Sequence, residues 1–176
     1  FIRANAAFKD PHTLSLSNGE ELRAKNFVIA TGSVHAPSPM PALDEVGYIT
    51  SDEAISLQKL PRSLIILGGG AVAIESAQFF RRLGVRVTLI QRSERILSEE
   101  DSDVAQVVEE VFRREGMTIF TGTNLKNAWL EDGLKWISFE HQGQTVRIPA
   151  EEIFFGLGRI PNTAHLALEK AGVRAN

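Results

Sequence analysis

No cysteine occurs in the 176 residues. That absence excludes a disulfide, a thiolate nucleophile and a thiolate metal site from the chain. Basic residues are not in excess either. Lys and Arg number 19 against 22 Asp and Glu, for a net charge of −3, so no electrostatic surface for nucleic acid is expected. No apolar run approaches the ~20 residues of a membrane span, and no signal peptide opens the chain. The expectation is a cytoplasmic protein without a membrane partner. His12, His35, His141 and His165 lie far apart with no ligand spacing, so no metal site is expected and each reads as a surface or loop residue. The chain opens on Phe1 rather than methionine, which suggests a piece of something longer. What is present is an ordinary globular composition, 43% hydrophobic and 23% charged. The length suits one full domain with some flanking structure.

The most informative stretch runs from Leu64 to Glu75: four apolar residues, then Gly68-Gly69-Gly70, then Ala71-Val72-Ala73-Ile74-Glu75. A buried strand, a tight glycine turn and a small-residue helix form the phosphate-cradling start of a dinucleotide-binding βαβ unit. Gly68 permits the turn, Gly70 lets a pyrophosphate approach the backbone, and Ala73 keeps the helix close to the sheet. The free N–H groups and positive dipole end of the helix face the phosphates. Glu75 reads as a carboxylate in the first helical turn, favourable to the dipole. The helix ends at Gly84, and a β-branched strand, Val85–Ile90, completes the unit.

Around this unit the pattern changes twice. The first 30 residues read as a β-meander: Ile2–Phe8, Thr13–Ser17, a hairpin turn at Asn18-Gly19, Glu20–Lys25, then a short buried strand at Phe27–Ala30. Pro37, Pro39 and Pro41 mark a linker, and Ser51-Asp52-Glu53 opens a short helix whose capping box, counted from Ser51, lacks its glutamate at Ala54. A second helix runs from near Asp101 to Gly116, with Val104, Val107, Val108, Val111 and Phe112 on one face. Met117–Thr121 is a third strand. Leu125–Leu130, Leu134–His141 and Thr145–Ile148 alternate as antiparallel strands, with turns at Glu131-Asp132-Gly133 and Gln142-Gly143. Glu152–Phe155 is again a buried strand, and Leu166–Ala171 a short helix. Trp129, Trp136 and Phe139 read as packing groups.

Three segments fall in one order: Val28-Ile29-Ala30-Thr31-Gly32-Ser33, the glycine run, and Gly156-Leu157-Gly158-Arg159-Ile160-Pro161-Asn162-Thr163. Together with Gly47–Glu53 and the tail Leu168–Val173, they resemble the middle of a flavoprotein disulfide reductase, the family of dihydrolipoamide dehydrogenase, mercuric reductase and glutathione reductase. The resemblance covers essentially the whole chain. It implies an α/β fold: a Rossmann-like NAD(P)-binding domain (βαβαβ plus an antiparallel meander) with flanking β-strands from a truncated FAD domain. Residues 1–35 would be an FAD-domain meander segment, 36–60 a linker with a short helix, 61–155 the NAD(P)-binding domain and 156–176 the return to the FAD domain. Thr31 and Gly32 resemble the crossover beside the flavin, and Gly156, Gly158 and Arg159 the return crossover. Glu75 would lie near the nicotinamide and a flavin-side lysine outside this chain. Ala71 stands where glutathione reductase-like sequences carry a tyrosine that lids the flavin, so a gating role is not implied here.

The end of the second strand decides the dinucleotide. An acidic residue there binds the ribose 2′-hydroxyl, whereas arginine suits a 2′-phosphate. The strand delivers Gln91, neutral where NAD-using relatives carry glutamate, then Arg92-Ser93-Glu94-Arg95. Arg92 and Arg95 could pair with a phosphate, with Ser93 as a further donor. Glu94 could act as an acidic ligand or neutralise an arginine, and Ser98 stands where NADP relatives often carry a second arginine. The balance favours NADP over NAD.

The resemblance thus implies the nicotinamide-dinucleotide-binding part of an FAD-dependent oxidoreductase. Such an enzyme passes hydride from NAD(P)H to flavin and on to a disulfide or similar acceptor, with the rest of the FAD domain and a dimerisation domain completing a homodimer. No catalytic residue is assigned in this chain, and the chain alone is expected to be inactive. Two alternatives stay open: a non-disulfide flavoprotein of the NADH oxidase or transhydrogenase type, and a non-catalytic nucleotide-binding module.

Overall fold

The computed structural model describes residues 1–175. Along the chain come β1 (Ala6–Asp10), β2 (Thr13–Leu16), β3 (Glu21–Arg23) and β4 (Ser33–His35), then helices α1 (Pro41–Val46) and α2 (Ser51–Ala54). An α/β run follows: β5 (Ser63–Leu67), α3 (Ala71–Arg82), β6 (Arg86–Ile90), α4 (Ser102–Arg114) and β7 (Thr118–Phe120). The chain continues through β8 (Asn124–Glu131), β9 (Leu134–His141), β10 (Gln144–Ala150), β11 (Glu152–Phe155) and β12 (Arg159–Pro161), and Leu168–Ala171 forms one 3-10 turn. Two compact units result, one made of Phe1–Ala36 with Arg159–Asn176 and the other of Pro37–Gly158.

The larger unit is built on a parallel sheet in the order β11-β5-β6-β7. Side chains alternate across a strand, and β5 divides its residues accordingly. Leu64 and Ile66 join Val87, Leu89 and Phe154 against Ala73, Ala77 and Phe80 of α3 and Phe112 of α4. Ile65 and Leu67 join Ile90, Ile153 and Phe155 against Ala128, Ile137, Phe139 and Ala150 of the antiparallel sheet β8-β9-β10. A strand buried on both faces must be apolar at every position, which is why Leu64–Leu67 show no polar alternation. The antiparallel sheet turns at Asp132-Gly133 and Gln142-Gly143, both central residues at positive φ in each pair, the conformation two-residue hairpins favour. Trp129 and Trp136 sit opposite each other in β8 and β9 and stack with centroids 5.7 Å apart.

Several local expectations shift. The cap of α2 is Thr50, not Ser51: its side chain accepts from the Asp52 N–H while the Glu53 carboxylate accepts from the Thr50 N–H, a complete capping box one residue earlier. Within the proline-rich stretch, Pro41 starts a helix, since its fixed φ suits the first helical position. Leu43 of that helix is fully buried. On α4, Phe112 and Ala105 are buried and Val108 and Val111 pack against the core, whereas Val104 and Val107 remain exposed, because the apolar stripe is wider than the surface it covers. His141 is no loop residue. Its Nδ1 lies 2.9 Å from the Thr121 carbonyl oxygen and its ring meets Phe120 edge-on.

The smaller unit holds the antiparallel meander β1-β2-β3 and a two-stranded ribbon of β4 with β12. Its buried apolar residues are few: among the described residues, Phe8, Leu16 and Leu166. Phe27–Ala30 does not form the expected buried strand. Among the described residues it joins no strand ladder, and Val28 is 93% exposed, although the Phe27 ring meets Phe8 of β1 edge-on at 5.3 Å. Strand β1 begins at Ala6 rather than Ile2, and the expected helix near Leu166 tightens to the 3-10 turn. Among the described residues no helix is long and apolar enough to cross a membrane.

Candidate functional site

Glycine is required at Gly68 for a mechanical reason. Its φ is +109°, and a Cβ there would stand 2.2 Å from the Gly156 carbonyl oxygen. Gly156 is constrained in turn, for its Cβ would lie 2.8 Å from the Leu67 oxygen and 2.9 Å from the Ala73 Cβ. The tips of β5 and β11 and the first turn of α3 therefore meet backbone to backbone, pinned by Gly156 N–H donating to Leu67 O at 2.8 Å and Gly68 N–H to Ile90 O at 2.9 Å. Ala73, fully buried, is the small residue that lets the helix sit this close.

Gly70 differs. It is the N-cap of α3 with φ −78° and ψ 178°, a conformation open to any residue, and a Cβ there would meet nothing within 4 Å. The fold does not explain this glycine. Among the described residues no side chain caps the helix, and no acidic residue lies in its first turn, whereas Arg81 and Arg82 occupy the last. Backbone N–H groups of Gly69, Gly70, Ala71, Val72 and Ala73 have no acceptor among the described residues; the first intrahelical bond is Ile74 N–H to Gly70 O. The anion-seeking end of the helix is thus left open. Unpaired N–H donors and the positive end of the dipole suit an anion such as a phosphate group. Glu75 falls in the second turn rather than the first, exposed and without a hydrogen-bond partner among the described residues, so its dipole contribution is smaller than its sequence position suggested.

The end of β6 lies beside the same turn. The Gln91 side chain packs over Gly69, where a Cβ would meet its Cδ at 3.0 Å. The Gln91 carbonyl is taken up by Thr123, through both N–H and Oγ1. Arg92 is exposed and has no ion-pair or hydrogen-bond partner among the described residues, and Ser93 is half-buried. Arg95 is placed otherwise: its Nη2 donates to the backbone oxygens of Ser98 at 3.1 Å and Glu100 at 2.8 Å. Glu94 neutralises neither arginine; its carboxylate lies over Gly122. Sequence reading missed Leu97, whose N–H donates to Gly69 O at 2.7 Å. A bulky residue at φ +47° carries no sequence signature by which it could have been found.

The other sequence-marked residues lie in the smaller unit, apart from Gly158, the last residue of the larger one. Asn162 N–H donates to Gly32 O at 3.0 Å, and the Arg159 guanidinium spans Ser33 Oγ at 2.8 Å, Ser33 O at 2.8 Å and His35 Nε2 at 3.1 Å. Arg159 thus clamps the ribbon of β4 and β12, a role its partners Ser33 and His35 had not announced. Thr31 and Gly32 are exposed, and nothing would meet a Cβ on Gly32.

The family profile described as pyridine nucleotide-disulphide oxidoreductase matches residues 1–176. The chain belongs to this family. A mercuric reductase of Staphylococcus aureus is 36% identical over 173 residues, covering 98% of this chain and 31% of that protein. A dihydrolipoamide dehydrogenase of Chaetomium thermophilum is 32% identical over 180 residues, covering 98% of this chain and 36% of the relative. Among solved structures, the Cu(II) complex of RclA, an HOCl-induced flavoprotein disulfide reductase from Escherichia coli, superposes with a TM-score of 0.85 at 27% identity. That match covers 98% of this chain and 39% of RclA. The chain therefore spans about a third of the length of these pyridine nucleotide-disulphide oxidoreductases.

Proposed function

We propose that the larger unit binds a nicotinamide dinucleotide as the hydride donor of an FAD-dependent oxidoreductase, with a disulfide or similar group as final acceptor. The observation that carries this reading is Gly70: a glycine the fold does not need, at the uncapped start of a helix, with open space where its side chain would be. The pyrophosphate would take the N–H groups of Gly70, Ala71 and Val72, where the helix dipole and unpaired donors act together. Gln91, packed on Gly69, would meet the adenosine ribose, with Arg92 and Ser93 beside its 2′ position. Gly68, Gly156 and Ala73 hold the frame rigid. A nicotinamide dinucleotide held there would supply hydride chemistry to flavin; this chain's residues would bind and orient it.

We read Thr31, Gly32, Gly158 and Arg159 as flavin-side residues, and the whole enzyme would carry the remainder of an FAD domain, a dimerisation domain and a homodimeric assembly. We favour NADP over NAD. Arg92 is an exposed cation at the end of β6 with no carboxylate paired to it among the described residues, and a guanidinium fork suits phosphate oxygens.

Calorimetric titration of the 176-residue chain with NADPH and NADH tests both parts. NADPH should bind about tenfold tighter, the worth of one charge-assisted hydrogen bond, and Arg92→Glu should reverse the order. Equal affinities, or tighter NADH, would remove the reading of Arg92. Binding of neither nucleotide would remove the site.

A further inference from the structure

The segment Ser93–Asp101 between β6 and α4 has no regular structure, yet it is tied down at three points. Ile96 is fully buried among the core residues beneath α3 and α4. Arg95 Nη2 gathers the Ser98 and Glu100 carbonyls, and Glu100 N–H closes back on Leu97 O at 2.9 Å. Leu97, between these anchors, is held left-handed at φ +47°, a region a bulky side chain rarely occupies. The N–H presented by that unusual backbone is the one that bonds Gly69 O at 2.7 Å. Strain kept beside a ligand cradle is a recognised mark of a positioning device.

Resting on the reading that this site holds a dinucleotide, we infer that Arg95 and Leu97 are positioning residues that fix the Gly69–Gly70 peptide. They would set the grip on any nicotinamide dinucleotide without reading its 2′ position. In a trans peptide the C=O and the following N–H point to opposite sides. Drawing Gly69 O toward Leu97 therefore turns the Gly70 N–H away from the loop, and that N–H has no acceptor among the described residues. Arg95 enforces this by closing the loop on itself, and its occupied Nη2 distinguishes it from Arg92, three residues earlier, which is exposed and unpartnered among the described residues. The two arginines of one short loop thus divide the work: Arg92 faces the ligand and Arg95 holds the strap.

The test uses the 176-residue chain with Arg95→Met, which keeps an apolar stem and removes the donors, and Arg95→Lys, which keeps one cation and a shorter reach. Arg95→Met should weaken NADH and NADPH by the same factor, about five- to tenfold for a lost orienting hydrogen bond. It should also shift the Gly70 amide resonance and speed hydrogen exchange at the Leu97 amide. Arg95→Lys should recover part of each effect, and it remains informative where Arg95→Met does not fold. Loss confined to NADPH would make Arg95 a phosphate ligand and overturn the inference, as would unchanged affinity for both nucleotides. If the unsubstituted chain bound neither nucleotide, the site reading would fall. The strap would then stand or fall on the Gly70 resonance: a shift in Arg95→Met supports it, and an unmoved resonance overturns it.

Discussion

Alanine at Gly68 and alanine at Gly70 are the same chemical change two residues apart, and the structure assigns them opposite consequences. At Gly68 the backbone sits at φ +109° and the new Cβ would lie 2.2 Å from a carbonyl oxygen. The conformation costs about 1–3 kcal/mol, and forced overpacking adds about 1–3 kcal/mol. For a chain of this size that lowers the melting midpoint by roughly 10 °C. At Gly70 the backbone is extended and the new methyl meets nothing. Losing glycine at an N-cap and stiffening the unfolded chain oppose each other, so stability should stay within about 1 kcal/mol. The methyl would instead occupy the space through which a phosphate approaches. Displacing one N–H–phosphate bond costs about 1.5–3 kcal/mol, or roughly 10- to 100-fold in affinity. Thermal melts and nucleotide titrations on both variants separate the two effects. Gly70→Ala that binds like the parent chain, or that melts as early as Gly68→Ala, would refute the assignment of Gly70 to the ligand.

Two further outcomes follow. The Arg82 guanidinium, with Gln78 adding a second donor, holds the Glu115 carboxyl below the usual carboxylate range against the opposing effect of burial. A depressed folded-state pKa contributes stability that is present above the unfolded value and is lost as pH falls through the folded one. Glu115→Gln should therefore melt earlier than the parent at neutral pH, and the gap should close on acidification; melting curves that stay parallel from neutral to acid pH would exclude the clamp. Separately, the 176-residue chain with FAD and NADPH added should reduce neither lipoamide nor glutathione disulfide, because it contains no cysteine to relay electrons to a disulfide. Steady turnover would contradict this.

Much of the larger unit could be read directly from residues. Leu64–Leu67, the glycine run and Val85–Ile90 carry their own signals: a continuous apolar strand, punctuation and β-branching. The paired turns Asp132-Gly133 and Gln142-Gly143 did the same for the antiparallel sheet. What escaped depends on partners distant in sequence. Phe27–Ala30 has strand composition, but among the described residues it pairs with no strand. Nothing about Arg159 announces Ser33 and His35, 126 and 124 residues away. Within the proposed site, Gly68 and Gly156 were visible because steric demand restricts the residue type there. Leu97 was not, because it acts through a backbone N–H that every residue but proline carries. Arg95 looked like Arg92 because sequence records charge, not which backbone carbonyls a guanidinium reaches.

The stacked indoles of Trp129 and Trp136 have a practical consequence. They are the only tryptophans, and Tyr48, the only tyrosine, lies in the same unit. Every strong near-ultraviolet chromophore thus belongs to the larger unit, and the face-to-face pair adds a coupled circular-dichroism band when its strands are in register. Intrinsic emission then reports the larger unit alone, while peptide-bond absorption sees both. Comparing the two signals during unfolding reveals, without any label, whether the halves melt together or in sequence.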